Sequence, residues 1–213
     1  TDKSGNGNDG TLVNGPEWVS GKYGAGLRFD GVSQRVNTTN PLNNHGTNPF
    51  TITMWANIYN LAHPDSYSVL LANKNSGITG PGYIIYINGY QSNRMFFMVG
   101  DAALSNVSLF TEAPVTKRWI HLTLVRDTNG LKLYNNGIRV VTSTLGGTHN
   151  ITTAVDNSFG SSILNTSFFD GVLDEVKIFD YALTPAQVAY EYNRGAPIAH
   201  WMMDECQGST IHD

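Results

Sequence analysis

Residues 50–58, FTITMWANI, alternate along the chain: Phe50, Ile52, Met54, Ala56 and Ile58 fall on one face, Thr51, Thr53, Trp55 and Asn57 on the other. A period of two belongs to extended backbone, so the segment is predicted to be a strand with one buried and one polar face. Comparable runs occupy 67–72, 83–87, 94–99, 119–126, 131–134, 138–142 and 168–179, separated by Gly, Asn, Asp or Pro clusters. In LKLYNNGIRVV the pair Asn136-Gly137 lies between two β-rich runs and predicts a tight hairpin with positive φ at both residues. One segment reads as a helix. Thr184 is its N-cap, Pro185 takes the first helical position, and Val188, Ala189 and Tyr192 share a face before Gly195 stops it. About a dozen strands, one short helix and no low-complexity linker predict a single all-β, two-sheet sandwich.

Composition sharpens this picture. Charged residues make up only 14% of the 213, while Gly, Asn, Ser and Thr are spread along the whole length, as short strands joined by polar turns require. The formal net charge is -4 with no run of like charges, which excludes an electrostatic footprint for nucleic acid or an anionic membrane surface. The longest apolar stretches, 95–99 and 120–125, are strand length. They fall far short of the roughly 20 residues of a membrane helix, so no membrane span is expected. The sequence opens on no basic, then apolar, leader. The single cysteine, Cys206, has no intrachain disulfide partner. Asn-x-Ser/Thr sequons begin at Asn37, Asn106, Asn150 and Asn165, a frequency that an Asn- and Thr-rich chain produces by chance.

GAGLRFDG (24–31), KRWIHLTLVRDTNGLKLYNNGIRV (117–140) and GVLDEVKIFDYALTPAQVAYEYNRG (171–195) together resemble, in order and spacing, the laminin-G-like, concanavalin A-like lectin family. The resemblance implies a jelly-roll sandwich and an extracellular or cell-surface setting. Members of this family begin with a strand of the form W-x-x-D-E, followed by G-x-x-x-x-D-x-S-G-N-G-N-D-G. In this chain the first half of that motif, Trp201 to Asp213, comes last, and the second half, Lys3-Ser-Gly-Asn-Gly-Asn-Asp-Gly10, comes first. The halves join without a gap if Asp213 and Asp2 occupy the same motif position, so the chain holds one full period of a head-to-tail repeat. Residues 1–197 are then the sandwich body. Residues 198–213 supply a strand that completes the same domain or a neighbouring copy, with Ile198, His200, Trp201, Met202, Met203, Asp204 and Glu205 at its centre. Three explanations fit: a strand folded back as in a circular permutation, a strand donated to the next copy, or a window cut from a tandem array.

Candidate chemistry is sparse. Asp174 and Glu175 invite a glycosidase reading, but a retaining pair needs carboxyls about 5 Å apart on one face, and strand neighbours point to opposite faces. No nucleophile elbow and no metal-ligand spacing of His or Cys occurs. His121, in the family's W-x-H position, reads as a satisfied structural histidine, and Cys206 lies beside Asp204 and Glu205, an acidic setting that disfavours the thiolate. A non-catalytic protein is expected. DKSGNGNDG places hard oxygen ligands beside permissive glycines, which suits a flexible calcium site, and the resemblance adds that such jelly rolls hold a structural calcium near this loop. The candidate ligands are Asp2, Asn6, Asp9, Asp30 and Asp174, the alternative being Asx-turns. For glycans, Trp55 with Tyr59, Tyr67, Tyr83, Tyr86 and Tyr90 form the candidate aromatic platform, whereas Trp18 and Trp119 read as packing. The leading expectation is a non-catalytic extracellular module that joins copies of itself head to tail through its C-terminal strand. The rival is a monomeric lectin-like module that binds cell-surface or matrix glycans.

Overall fold

The computed structural model describes residues 2–39, 41–42, 45–62, 66–74, 80–103 and 106–194. In chain order the strands are Gly10–Val13 (β1), Glu17–Ser20 (β2), Ala25–Asp30 (β3), Arg35–Thr38 (β4), Phe50–Ile58 (β5), Tyr67–Ala72 (β6) and Gly82–Asn88 (β7). There follow Arg94–Gly100 (β8), Asn106–Thr111 (β9), Trp119–Asp127 (β10), Gly130–Asn135 (β11), Ile138–Ser143 (β12), Asn157–Phe159 (β13) and Asp170–Phe179 (β14), then a helix, Pro185–Asn193 (α1). They build two antiparallel sheets of seven strands, ordered β1-β4-β13-β6-β7-β8-β9 and β12-β11-β10-β5-β14-β3-β2. This is the expected all-β jelly-roll sandwich. Strands β5 to β8, β10 to β12 and β14 coincide with the periodic runs in the sequence, whereas β3 and β9, six residues each, correspond to none of them. The short β1, β2, β4 and β13 show no such periodicity and exist because a neighbouring strand pairs with them.

The sheets close over one core. Phe50, Ile52, Met54, Ala56 and Ile58 of β5 meet Leu122 and Leu124 of β10, Ile85 and Ile87 of β7, and Phe97 of β8, all buried. Asn136 (φ 50°) and Gly137 (φ 75°) make the β11–β12 hairpin with both residues left-handed, as expected. Thr184 caps α1 through a capping box with Gln187: its hydroxyl accepts the Gln187 N–H at 3.3 Å, and the Gln187 side chain accepts the Thr184 N–H at 2.9 Å. Arg194 (φ 54°) ends the helix in a left-handed turn, and Gly195, the expected stop, lies outside the described residues.

The pattern misleads on the outer face of β5. Alternation predicts that Thr51, Thr53 and Trp55 are solvated, yet all three are buried. The chain leaving β14 lies across them: Thr51 Oγ1 donates to Tyr181 O and accepts the Leu183 N–H, both at 2.9 Å. Val188 of α1 packs with Leu183, Val125 and Tyr134. The polar-looking face is therefore a second, smaller core.

The largest wholly buried side chain is Arg126 of β10. Its guanidinium donates to Gly46 O (2.9 Å), Asn48 O (2.7 Å) and His149 O (2.8 Å) and lies 5.1 Å from the Phe50 ring centre. Charge-assisted bonds to three carbonyls from two loops make it a pin between the β4–β5 and β12–β13 connections. Arg126→Ala leaves those carbonyls without their donor beside a large void. The expected loss is at least about 3 kcal/mol in urea unfolding, since each buried unsatisfied group costs about 1–3 kcal/mol.

Candidate functional site

β14 pairs with β5 from Gly171 to Phe179 but with β3 only from Asp170 to Leu173. β3 starts at Ala25, where the β2–β3 turn closes through the Gly21 N–H donating to Gly24 O at 2.9 Å. Among the described residues, the second half of β14 has no strand on that side. Every second residue there turns its N–H and C=O into an open slot. Ile178 pairs with the core residue Ile52, so its side chain points inward, and with Val176 it packs on the core; both are only half-buried. Unpaired backbone beside inward apolar side chains outlines the place of one more strand.

The edges of the same side carry a matching signature. Cross-strand partners share a face. Trp18 of β2 pairs with Leu27, and Leu12 of β1 with Val36, both core residues, so Trp18 and Leu12 face the sandwich interior. They are nevertheless 65% and 42% exposed. Trp18, expected to be packed, is instead the most solvent-facing tryptophan described; its place in a four-residue edge strand was the available signal.

Asp174 stands at the head of the slot, buried. One carboxylate oxygen accepts the Tyr23 N–H at 2.9 Å and the other the Glu175 N–H at 2.7 Å, fastening the β2–β3 turn to β14. The β14–β5 register then slips between Asp174 and Lys177, with Glu175 at φ 48°: a β-bulge. The alternation expected of Asp174 and Glu175 is thus broken. The bulge directs Glu175 to Arg194 (3.0 Å) and Lys177 (3.5 Å), so both acids are engaged in holding structure. Arg194 also lies 3.8 Å from the Tyr23 ring centre, which places the end of α1 at the mouth of the slot.

The five candidate calcium ligands do not converge. Asp2 and Asp9 share one loop: Asp2 accepts the Ser4 N–H, the Ser4 hydroxyl and the Asn8 N–H, and Asp9 accepts the Asp2 N–H. The Ser4 hydroxyl above all, with the amides, lowers the Asp2 carboxyl to about 2. Asn6 N–H donates to Ser4 Oγ in the same loop. Asp30 caps a different turn, accepting the N–H groups of Val32, Ser33 and Gln34. Asp174 is committed as described. Among the described residues no three His, Cys, Asp or Glu side chains come together as a metal site.

The six aromatic candidates scatter as well. Trp55, 4% exposed, is stacked under Tyr192 (5.6 Å), flanked by Tyr23 and His121, and capped by Lys22 Nζ 4.5 Å from its ring centre. Tyr83 is inside the core, its hydroxyl donating to Asn157 Oδ1 at 2.7 Å, and burial raises that phenol above its usual range. Residues 83 and 86 differ by an odd number, so Tyr86 faces outward, stacked on Phe96 at 5.3 Å and buried. Trp55, Tyr83 and Tyr86 therefore offer no ring face to a glycan. Tyr59 lies under the Arg28 guanidinium at 4.6 Å. Tyr67 and Tyr90 continue the Tyr86–Phe96 row towards the rim, and of the six only Tyr90 is exposed. The assembly residues Ile198, His200, Trp201, Met202, Met203, Asp204 and Glu205 lie outside the described residues.

Residues 30–189 match the family model for the concanavalin A-like lectin/glucanases superfamily, three quarters of the chain. The chain belongs to this superfamily. No curated protein matches this superfamily member by sequence. Among solved structures it resembles the binding domain of Paraclostridial Mosquitocidal Protein 1 (TM-score 0.75, 18% identity, 91% of this chain and 49% of that one). It also resembles the binding domain of Botulinum Neurotoxin DC in complex with SialylT (TM-score 0.71, 14% identity, 91% and 47%). A third is the Botulinum Neurotoxin serotype G binding domain (TM-score 0.68, 16% identity, 88% and 47%). At such identities the likeness is one of fold. The superfamily member spans about half the length of these proteins.

His121 of β10 is buried against Trp55 (5.1 Å) and Tyr192 (6.0 Å), and its Nδ1 has no hydrogen-bond partner among the described residues. The expected satisfied ring is not what the described residues show: His121 is held by packing against these aromatic rings. Burial, reinforced by Lys177, lowers it from 6.5 to about 4. The unfolded chain therefore takes up this proton first, and the His121 contribution is intact above pH 6.5 and lost as pH falls from 6.5 to about 4. The expected loss across that window is up to about 3 kcal/mol at 1.36 kcal/mol per pKa unit. Denaturant midpoints measured from pH 7.5 to 4 should fall steeply in the native protein and be flatter in His121→Leu.

Proposed function

We propose that this protein is a non-catalytic extracellular module that works in a head-to-tail array at a cell surface. Residues 198–205 of one copy lie in the slot beside the second half of β14 in the next. The observation that carries this reading is the slot itself: Val176 and Ile178 face inward but are only half-buried, beside backbone with no partner strand among the described residues, in a chain that carries a spare apolar strand motif. Seating Trp201, Met202 or Met203 against such a groove stabilises the contact by about 1.5–3 kcal/mol for each side chain fully buried, and the backbone adds a ladder. A contact between a tail and a different surface of the next copy does not close on itself, so it grows. The engagement of Asp174, Glu175 and His121 in structural contacts supports the non-catalytic part.

A second reading has its own observation. Arg194 is held against Glu175 at the slot's mouth, so the chain leaves α1 within a few residues of its own groove. There the strand folds back, the protein is a monomer, and glycan binding becomes its role, as supported by a neighbour of the same fold solved with SialylT. Light scattering with negative-stain microscopy separates the two. For the array, particle mass grows with concentration into beaded rows, and the double substitution Trp201→Asp, Met203→Asp leaves single particles. A compact monomer at every concentration, destabilised by the same substitutions, establishes the second reading instead.

A structural calcium, if this chain binds one, is proposed on the 2–9 loop alone, through Asp2 and Asp9. Melting in millimolar calcium against EDTA tests it: a bound ion raises the melting temperature in proportion to occupancy, and superimposed curves dispose of it.

A further inference from the structure

We propose that the Lys74 side chain forms an intramolecular isopeptide bond with the Asn106 side chain, tying the end of β6 to the start of β9. Lys74 follows β6 and Asn106 opens β9, with β7 and β8 between them in the sheet. Lys74 is nevertheless wholly buried, and its Nζ donates to Asn106 Oδ1 at 2.8 Å and to Gly80 O at 2.5 Å. The amine thus reaches across the ends of two strands to touch a carboxamide.

Glycine clears that path. Gly82 pairs with Gly100, and Gly100 with Asn106, in one row across the sheet. The φ of Gly100 is not positive, so its backbone conformation admits any residue, yet a Cβ there would run into Lys74 Nζ, Asn106 Oδ1 and Gly80 O. A glycine in a strand marks a close approach. Here an amine and an amide converge on it.

The surroundings supply the chemistry. Burial lowers the Lys74 ammonium from 10.5 to about 8, against the pull of Asp101, so a sizeable share of the amine is neutral and nucleophilic near neutral pH. Holding amine and amide in contact replaces a bimolecular encounter, and well-oriented pairs of this kind reach effective molarities of about 10⁵–10⁸ M. The Nζ lone pair adds to Asn106 Cγ; the Nζ–Cγ bond forms, the Cγ–Nδ2 bond breaks, and Nδ2 leaves as ammonia with one proton that began on Nζ. Nothing is oxidised or reduced. Asp101, next to Gly100 and near enough to act on the Lys74 charge, is the group that carries this proton from Nζ to Nδ2. Asn106 is exposed, so the ammonia escapes to solvent. The product is a neutral amide whose one N–H keeps Gly80 O as acceptor, so a costly buried charge disappears and its hydrogen bond stays. All of this lies in the sheet opposite β14, and the inference does not rest on the strand reading.

The test is the intact mass of the folded full chain, followed by tryptic mapping. The mass is expected one ammonia below that of the sequence. Trypsin does not cut after an acylated lysine, so residues 36–94 should stay in one piece, joined to 95–117. Asn106→Ala and Gly100→Ala should restore the full sequence mass. Asn106→Ala should also melt roughly 10 °C lower, the effect of losing a cross-link that closes a loop of about 30 residues. Asp101→Ala should keep its ammonia over the time in which the native chain has lost it. The full sequence mass in the native chain overturns the proposal, as does loss of water with Lys74 joined to Asp101, a glycan or a hydrolysed amide at Asn106, or loss of ammonia that persists in Asn106→Ala. Undiminished closure in Asp101→Ala overturns the role given to that carboxylate.

Discussion

The architecture depends on β5 being buried on both faces. It pairs with β10 on one side and β14 on the other, and its inner side chains fill the space between the sheets. Its outer side chains are sealed by the chain that leaves β14 and by α1, through Thr51 at one end and the Trp55–Tyr192 stack at the other. A strand with no solvated face cannot slip in register without displacing two cores at once. That locks β14, and with it the position of the β14 edge that has no strand beside it among the described residues.

Among the described residues, β14 is paired on its β3 side only as far as Leu173. Asp174 fastens the β2–β3 turn where β3 runs out, and the bulge redirects the strand so that Glu175 holds Lys177 and Arg194. Beyond this point Val176 and Ile178 keep facing the core and are only half-buried. With the inward-facing but exposed Leu12 and Trp18, they put apolar surface on the same side of the sandwich as β14 backbone that has no partner strand among the described residues.

Several large buried polar side chains are held by hydrogen bonds within the fold. Arg126 donates to three carbonyls. Tyr83 donates to Asn157, and Lys74, wholly buried, donates to Gly80 O (2.5 Å) and Asn106 Oδ1 (2.8 Å), burial lowering its ammonium to about 8 despite the nearby Asp101. Others, among them Asn57 Oδ1, Asn88 Oδ1, His121 Nδ1 and Asn135 Oδ1, have no hydrogen-bond partner among the described residues.

Local signals carried much of the fold. The periods of β5, β6, β8 and β10, the Asn136-Gly137 turn and the Thr184 capping box are decided within a few residues, by backbone sterics and neighbouring hydrogen bonds, so the sequence by itself determined them. The motif order reads residues 198–213 as a further strand, and these lie outside the described residues. What only the tertiary structure decided is which faces stay wet. Thr53 and Trp55 look solvated and are covered, whereas Trp18 looks packed and is bare; Tyr83 and Tyr86, three residues apart, belong to different surfaces. Exposure is set by what folds across a strand from far along the chain, and here α1, more than a hundred residues after β5, settles the outcome.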